Sequence, residues 1–411
     1  MFQKNNMKRD FFWNTLGTTL NAFNSLFFLI IVTRINKIDN AGIFSFAFST
    51  ACLFFVVGIY CGRVFQVTDN DSDNDITYLN VHIISIAIMI ASSLIFCLLR
   101  GYDLYKIAVI VLLVVFKATE AFCDTFHAII QKNNELYKVG ISLTVRSLIC
   151  LLLFLIVDCL TNNLIIAIIS IIIVNLCVLV FYDIKNAKLN IVNNYHFDRG
   201  KVFKIFKSGF FVFAFTFLNL FLINISKYAI DFYSVDKVQT IYGIILMPAT
   251  VVSLVAQFII HPFLLEIKNS INSKKINKLN NILVRLCLFV FLFTIVCIIC
   301  AWFFGIPVLK FVYGINLNNY KIDLIIILIG AMFYAISTIF SNVLISFRKT
   351  ISQTVIYFIV SIISIAISFL LVKTFNINGA VYSYLITMFM IFILFLILIT
   401  VVIKKESRCS N

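Results

Sequence analysis

Lys117, Glu120, Asp124 and His127 stand three, four and three residues apart inside one long apolar segment. In an α-helix that spacing gathers them, with Gln131, into an arc of about 80°. The ten residues before them, Ile107 to Phe116, are all apolar. The segment therefore reads as a lipid-soluble helix carrying one polar stripe. Ionisable groups in such a helix are costly and face a protein interior or a water-filled cavity. Two chemistries fit the stripe. Lys117 can pair with Glu120 at i,i+3, so that the charges neutralise one another as a packing seam. Alternatively the stripe lines a cavity, with Glu120 and Asp124 as proton carriers and His127 extending the relay toward the cytoplasm.

Four further residues join them. Arg146 lies in the next apolar segment, and the turn between the two is centred near Asn134–Lys138. Asp124 and Arg146 are about equally far from that centre, which at 1.5 Å per residue sets them at nearly one depth. An Asp124–Arg146 ion pair, as a brace or as a switch opened by protonation, is the expectation. Lys227 sits in NLFLINISKYAIDFY, a helix made more polar by Asn219, Asn224 and Ser226. It either faces the same cavity or snorkels to the outer interface. Arg285 lies just inside a later helix and poses the same choice. If Lys117, Arg146, Lys227 and Arg285 face one cavity against Glu120 and Asp124, it is net cationic. Arg and Lys together suit a phosphate-bearing anion. Pro248 removes a backbone hydrogen bond inside another helix and is the candidate gating kink.

The elements that must hold these residues follow from composition. Of 411 residues, 62% are hydrophobic and only 12% charged, about half the charged share of a soluble domain. The charges cluster between apolar runs long enough to span a bilayer. Approximate spans are 11–33, 41–62, 79–99, 105–131, 139–158, 163–182, 208–231, 238–262, 281–305, 323–347, 350–372 and 379–403. The expected fold is all-α: a polytopic membrane protein of about twelve helices in two pseudo-symmetric six-helix bundles around a central cavity. The bundles are 1–182 and 208–411, joined by a cytoplasmic linker, 183–207, that ends in a basic amphipathic turn. Placing both termini in the cytoplasm puts about 21 of the 33 Lys and Arg on that side and about 8 outside, which fixes the orientation. The net charge of +15 is then matched by anionic headgroups, and no nucleic-acid partner is needed.

Other motifs are weak. Most of the 11 cysteines lie in apolar runs, and Cys297-x-x-Cys300 has no second metal-ligating pair nearby. Asp69, Asp71, Asp73 and Asp75 begin like a calcium loop, but Asn74 and Asn80 stand where the turn glycine and the bidentate acid belong. No phosphate loop, HExxH or GxSxG occurs, so neither a cofactor, a bound metal nor an enzymatic role is expected.

With the spans and the stripe placed, four stretches carry a resemblance. They are FFWNTLGTTLNAFNSLFFLIIVTRI with AGIFSFAFS; KATEAFCDTFHAIIQKNNELYKVGISLTVRSL; NISKYAI with IYGIILMP; and FVYGINLNNYK with SNVLISFRKT. Together they resemble the Wzx-type polysaccharide flippases of the multidrug/oligosaccharidyl-lipid/polysaccharide exporter superfamily. That resemblance implies alternating-access transfer of undecaprenyl-pyrophosphate-linked oligosaccharide from the inner to the outer leaflet, for O-antigen or capsule assembly. It also implies an inner-membrane location, coupling to protons or sodium, and a polysaccharide polymerase and chain-length regulator as partners. A multidrug/cation antiporter would carry an acid in its first helix, where this chain has only Asp10 ahead of the span. A lipid II flippase would have two further helices. A membrane polymerase would carry larger outer loops.

Overall fold

A computed structural model describes residues 2–68, 75–187, 197–273 and 275–408. The described chain is helical throughout. The first half holds α1 (Phe2–Ile35), α2 (Ile38–Ile59), the short α3 (Gly62–Thr68), α4 (Asp75–Arg100), α5 (Leu104–Lys132), α6 (Leu136–Thr161) and α7 (Leu164–Val178). A π-helical turn, Leu179–Asp183, and the short α8 (Ile184–Ala187) continue α7. The second half holds α9 (Arg199–Tyr233), α10 (Asp236–Ile260), α11 (Leu264–Asn272), α12 (Ile276–Cys300), α13 (Ile306–Tyr313), α14 (Lys321–Ser346) and α15 (Thr350–Arg408).

Ten of these segments are long and apolar enough to cross a membrane. α15 departs from helical geometry at Asn376, with φ 52° and ψ −123°, and so forms two arms, each long enough to span. α5 falls outside the ten because Lys117, Glu120 and Asp124 crowd its apolar stretch. With α5 and both arms counted, the spans number about twelve. The chain is a multi-pass membrane protein.

Two compact units emerge, Met1–Phe213 and Ala214–Asn411. The seam falls inside α9. Residues 199–207, expected as the end of a linker, are the first turns of that helix. Their apolar face is buried: Val202 and Ile205 pack with Cys61, Tyr78 and Val81 of the first unit. Asp183, expected to open the linker, is also within helical structure. Of the acidic run, Asp69, Asp71 and Asp73 lie outside the described residues, while Asp75 accepts a hydrogen bond from Lys132 Nζ at 2.8 Å.

Within the first unit, α1 and α6 run side by side in the same direction. Asp10 Oδ1 accepts from the Tyr137 backbone N–H at 3.0 Å at one end. Asn36 Nδ2 donates to both oxygens of the buried Asp158, at 2.9 and 2.7 Å, at the other. Between them Gly17 meets Gly140, and a Cβ on either would run into the partner's backbone. Small residues allow this approach, as in other membrane helix pairs. The crossing holds α6 firmly about 1.7 turns before Arg146.

Candidate functional site

α5 buries Glu120 and His127 of its polar stripe and leaves Lys117, Asp124 and Gln131 part-buried. Glu120 is 6% exposed and His127 2%. Lys117 Nζ donates to Glu120 Oε2 at 2.7 Å, and the same ammonium stands 4.9 Å from the Phe48 ring centroid and 5.3 Å from that of Phe116. The carboxylate and the aromatic faces together compensate a buried cation.

α6 contributes Arg146, which is 3% exposed. Glu120 and Asp183 are the acids that act on it electrostatically. Its Nε and Nη1 are buried and have no hydrogen-bond partner. A guanidinium has five donors in a rigid fork, and leaving two nitrogens unused in a membrane interior is costly.

The π turn after α7 contributes Asp183. The backbone N–H of Ile184 reaches back five residues to Leu179 O, so the turn holds one residue more than an α-helical one. Asp183 closes this turn and is fully buried. His127 Nε2 lies 3.2 Å from Asp183 Oδ1 and 3.3 Å from Ser142 Oγ of α6. Asp183 Oδ2 has no hydrogen-bond partner. One layer further along, Asn175 Nδ2 donates to Thr119 Oγ1 at 3.1 Å, and Cys150 Sγ donates to Asn175 Oδ1 at 3.5 Å. Three helices thus share one buried polar network within the first unit.

Asp124 sits differently. It is a quarter exposed and stands 4.0 Å from Arg63 Nε of α3. The expected Asp124–Arg146 pair is therefore corrected. On α5 Asp124 lies about 40° around from Glu120 and faces Arg63 of α3. Glu120 and His127, on the other edge of the stripe, face α6 and the π turn. Near Asp124, His82 of α4 is buried and its Nδ1 lacks a partner.

Lys227 and Arg285 belong to the second unit. Lys227 is buried, 5% exposed, rather than reaching for the interface. Its neighbours on α9 are engaged too: Ser226 Oγ lies 2.7 Å from Ser383 Oγ, and Asn219 Nδ2 donates to Tyr334 OH at 3.2 Å. Arg285 is exposed and lines a cleft of about 470 Å³ with Glu266, Lys278 and Asn281. Pro248 is half-buried within α10, which continues through it. Among the described residues no group of three or more His, Cys, Asp or Glu is placed to hold a metal ion.

Sequence reasoning missed Asp183, Arg63 and His82. A signal for the first was present: Ile168, Ile171, Asn175, Leu179 and Asp183 are spaced three or four apart, and all are buried.

This arrangement of helices matches known transporters along its whole length. A multidrug resistance MATE family transporter of the MOP superfamily, in an inward-facing conformation, superposes with a TM-score of 0.72, covering 97% of this chain and 100% of that one at 10% identity. The chain has the fold of the MOP-superfamily transporters. The lipid II flippase MurJ, in an inward closed conformation, also superposes with a TM-score of 0.72, over 96% of this chain and 89% of that one at 14% identity. These neighbours are transporters and flippases, not enzymes. In sequence, the chain is 24% identical over 398 residues to the capsular polysaccharide biosynthesis protein CapF of Staphylococcus aureus, covering 93% of this chain and 96% of that protein. No protein-family model matches the chain.

Proposed function

We propose that the chain is a flippase that moves a polyprenyl-pyrophosphate-linked oligosaccharide across the membrane for capsule or another surface polysaccharide. The observation that carries this reading is Arg146. A guanidinium 3% exposed, inside a membrane span, keeps two nitrogens without partners. A fork of that kind is suited to a phosphate oxygen pair, and Lys117 adds a second cation in the same unit. The end-to-end similarity to a capsular polysaccharide biosynthesis protein supports the cargo class. The fold supports transport by alternating access.

In this reading Lys117 and Arg146 receive the pyrophosphate when the first unit opens, with Lys227 as a further cationic contact in the second unit; Arg285, on the outer face of α12, takes no part in it. Glu120, Asp124 and His127 couple the cycle to protons or sodium, and Pro248 lets α10 bend. Both termini lie in the cytoplasm. The cargo is undecaprenyl-linked, and a polymerase and a chain-length regulator act on it afterwards. A multidrug antiporter is disfavoured because Asp10, the acid just ahead of the apolar part of α1, is engaged in capping α6.

The test is translocation of a fluorescently labelled undecaprenyl-pyrophosphate-linked oligosaccharide in proteoliposomes, with and without a proton or sodium gradient. Gradient-dependent loss of label accessibility to an external quencher is expected. Transport of a cationic drug with no movement of the labelled lipid would replace this reading with the antiporter one.

A further inference from the structure

Arg285 is a cation on the outside of a membrane helix. It lies nine residues past Ile276, the start of α12, or about 14 Å along the axis. Val284, Leu288, Phe289, Leu292 and Val296, on the same helix, are all exposed large hydrophobics. Such a surface meets lipid, and an arginine there needs an anion or water. Among the described residues no acid pairs with it. The acid that shares its cleft, Glu266, is held by Lys278 Nζ at 2.8 Å.

The cleft has a defined shape. Ile259 and Phe263, at the end of α10 and the turn after it, form one wall. Asn281, Arg285 and Phe289 lie four residues apart along α12 and form the other. Its polar end thus holds one ion pair, one neutral amide and one uncompensated guanidinium. Its other end is apolar and opens along α12.

We propose that this cleft binds the phosphate headgroup of an anionic lipid, with Arg285 as the anchor and Asn281 as a neutral donor beside it. The hydrocarbon chain runs along Phe289, Leu292 and Val296. From Arg285 to Val296 is eleven residues, about 16 Å, which matches half of a hydrocarbon core about 30 Å thick. Extension of the arginine toward the interface leads to the same chemistry, since lipid phosphates lie there; the cleft selects one of them. The ligand class is a phosphate on an amphiphile, and the two available sources are a bilayer phospholipid and a polyprenyl phosphate carrier. The site does not depend on the identity of the transported cargo.

Native mass spectrometry of the full-length protein released from detergent tests this. Phosphatidylglycerol should be retained in preference to phosphatidylcholine, and Arg285→Gln should lower its occupancy about tenfold, as expected for loss of one charge-assisted contact. Phe289→Asp, which sets a carboxylate one turn from Arg285, should expel the lipid as well and serves if Arg285→Gln is not recovered folded. Added undecaprenyl pyrophosphate that displaces the phospholipid assigns the site to the carrier; failure to displace it assigns the site to bilayer phospholipid. Equal retention in the wild type and in both folded variants overturns the proposal. So does release of the lipid by excess inorganic phosphate, because the chain would then contribute nothing.

Discussion

His127 Nε2 lies 3.2 Å from Asp183 Oδ1, joining α5 to the π turn across 56 residues of sequence. Both side chains are buried, and Ser142 of α6 meets the same ring nitrogen at 3.3 Å. The contact thus ties α5, α6 and the π turn together at one buried point. The π turn that presents Asp183 is a local departure from α-helical register, of the kind often found at functional sites.

Asp183→Asn keeps the shape of the side chain and removes its charge. The expected outcome is protein present in the membrane at wild-type level with loss of gradient-driven transport. Asp183→Ala should in addition lower stability by about 3 kcal/mol, because it strips a buried network of its acid. Thermal unfolding in detergent and surface-polysaccharide staining read the two effects separately. Unchanged transport in Asp183→Asn would make the contact a static brace.

The Lys117–Glu120 pair at 2.7 Å permits a sharper separation of structure from function. Glu120→Gln leaves Lys117 buried without its counter-charge and should cost about 3 kcal/mol. Lys117→Met alone strands the carboxylate at similar cost. In the double variant neither charge is left uncompensated, so stability should recover by about 2 kcal/mol in a double-mutant cycle. Transport should stay lost. Recovery of both stability and transport would show that the pair only neutralises itself.

The spans and the polar stripe of α5 were legible because lipid solubility and a 3.6-residue period leave plain marks in sequence. Arg146 could be placed at the depth of the stripe by counting from the turn. Its partner could not be read, because counting gives depth but not direction around the axis; Asp124 faces Arg63, and Glu120 faces Arg146. Asp183 was hidden by its context. It follows LVFY and precedes Lys185 and Lys188, so it resembles the start of a charged loop, although its four-residue spacing from Leu179 and eight from Asn175 sets it on their buried face. Lys227 was ambiguous for a related reason: a lysine near a helix end can reach water, and only neighbours distant in sequence bury it.

Close packing of α1 on α6 sets the position of Arg146. A side chain at Gly140 would meet the backbone of Trp13 and Asn14, and backbone cannot rotate away as a side chain can. Gly140→Leu should therefore separate the helices and cost about 3 kcal/mol or more, with little folded protein recovered. Fluorescence-detected size exclusion checks it. A well-folded Gly140→Leu protein would mean that α1 is free to move off α6.

Asp10 decides between the two transport readings. Its carboxylate accepts from the Tyr137 N–H at 3.0 Å, near the start of α6, where helix N–H groups lack partners within the helix. The Arg9 guanidinium covers the Tyr137 ring at 3.6 Å from its centroid, which fixes the contact from the other side. An amide oxygen can accept the same bond, so Asp10→Asn should leave both folding and lipid-linked transport close to wild type. Asp10→Ala removes the acceptor and should cost about 1 kcal/mol, as loss of a helix cap does, seen as a lowered Tm. If Asp10→Asn abolishes transport while the protein stays folded, the carboxylate is acting through its charge. The coupling group then lies at the start of α1, as in a cation antiporter, and not on α5.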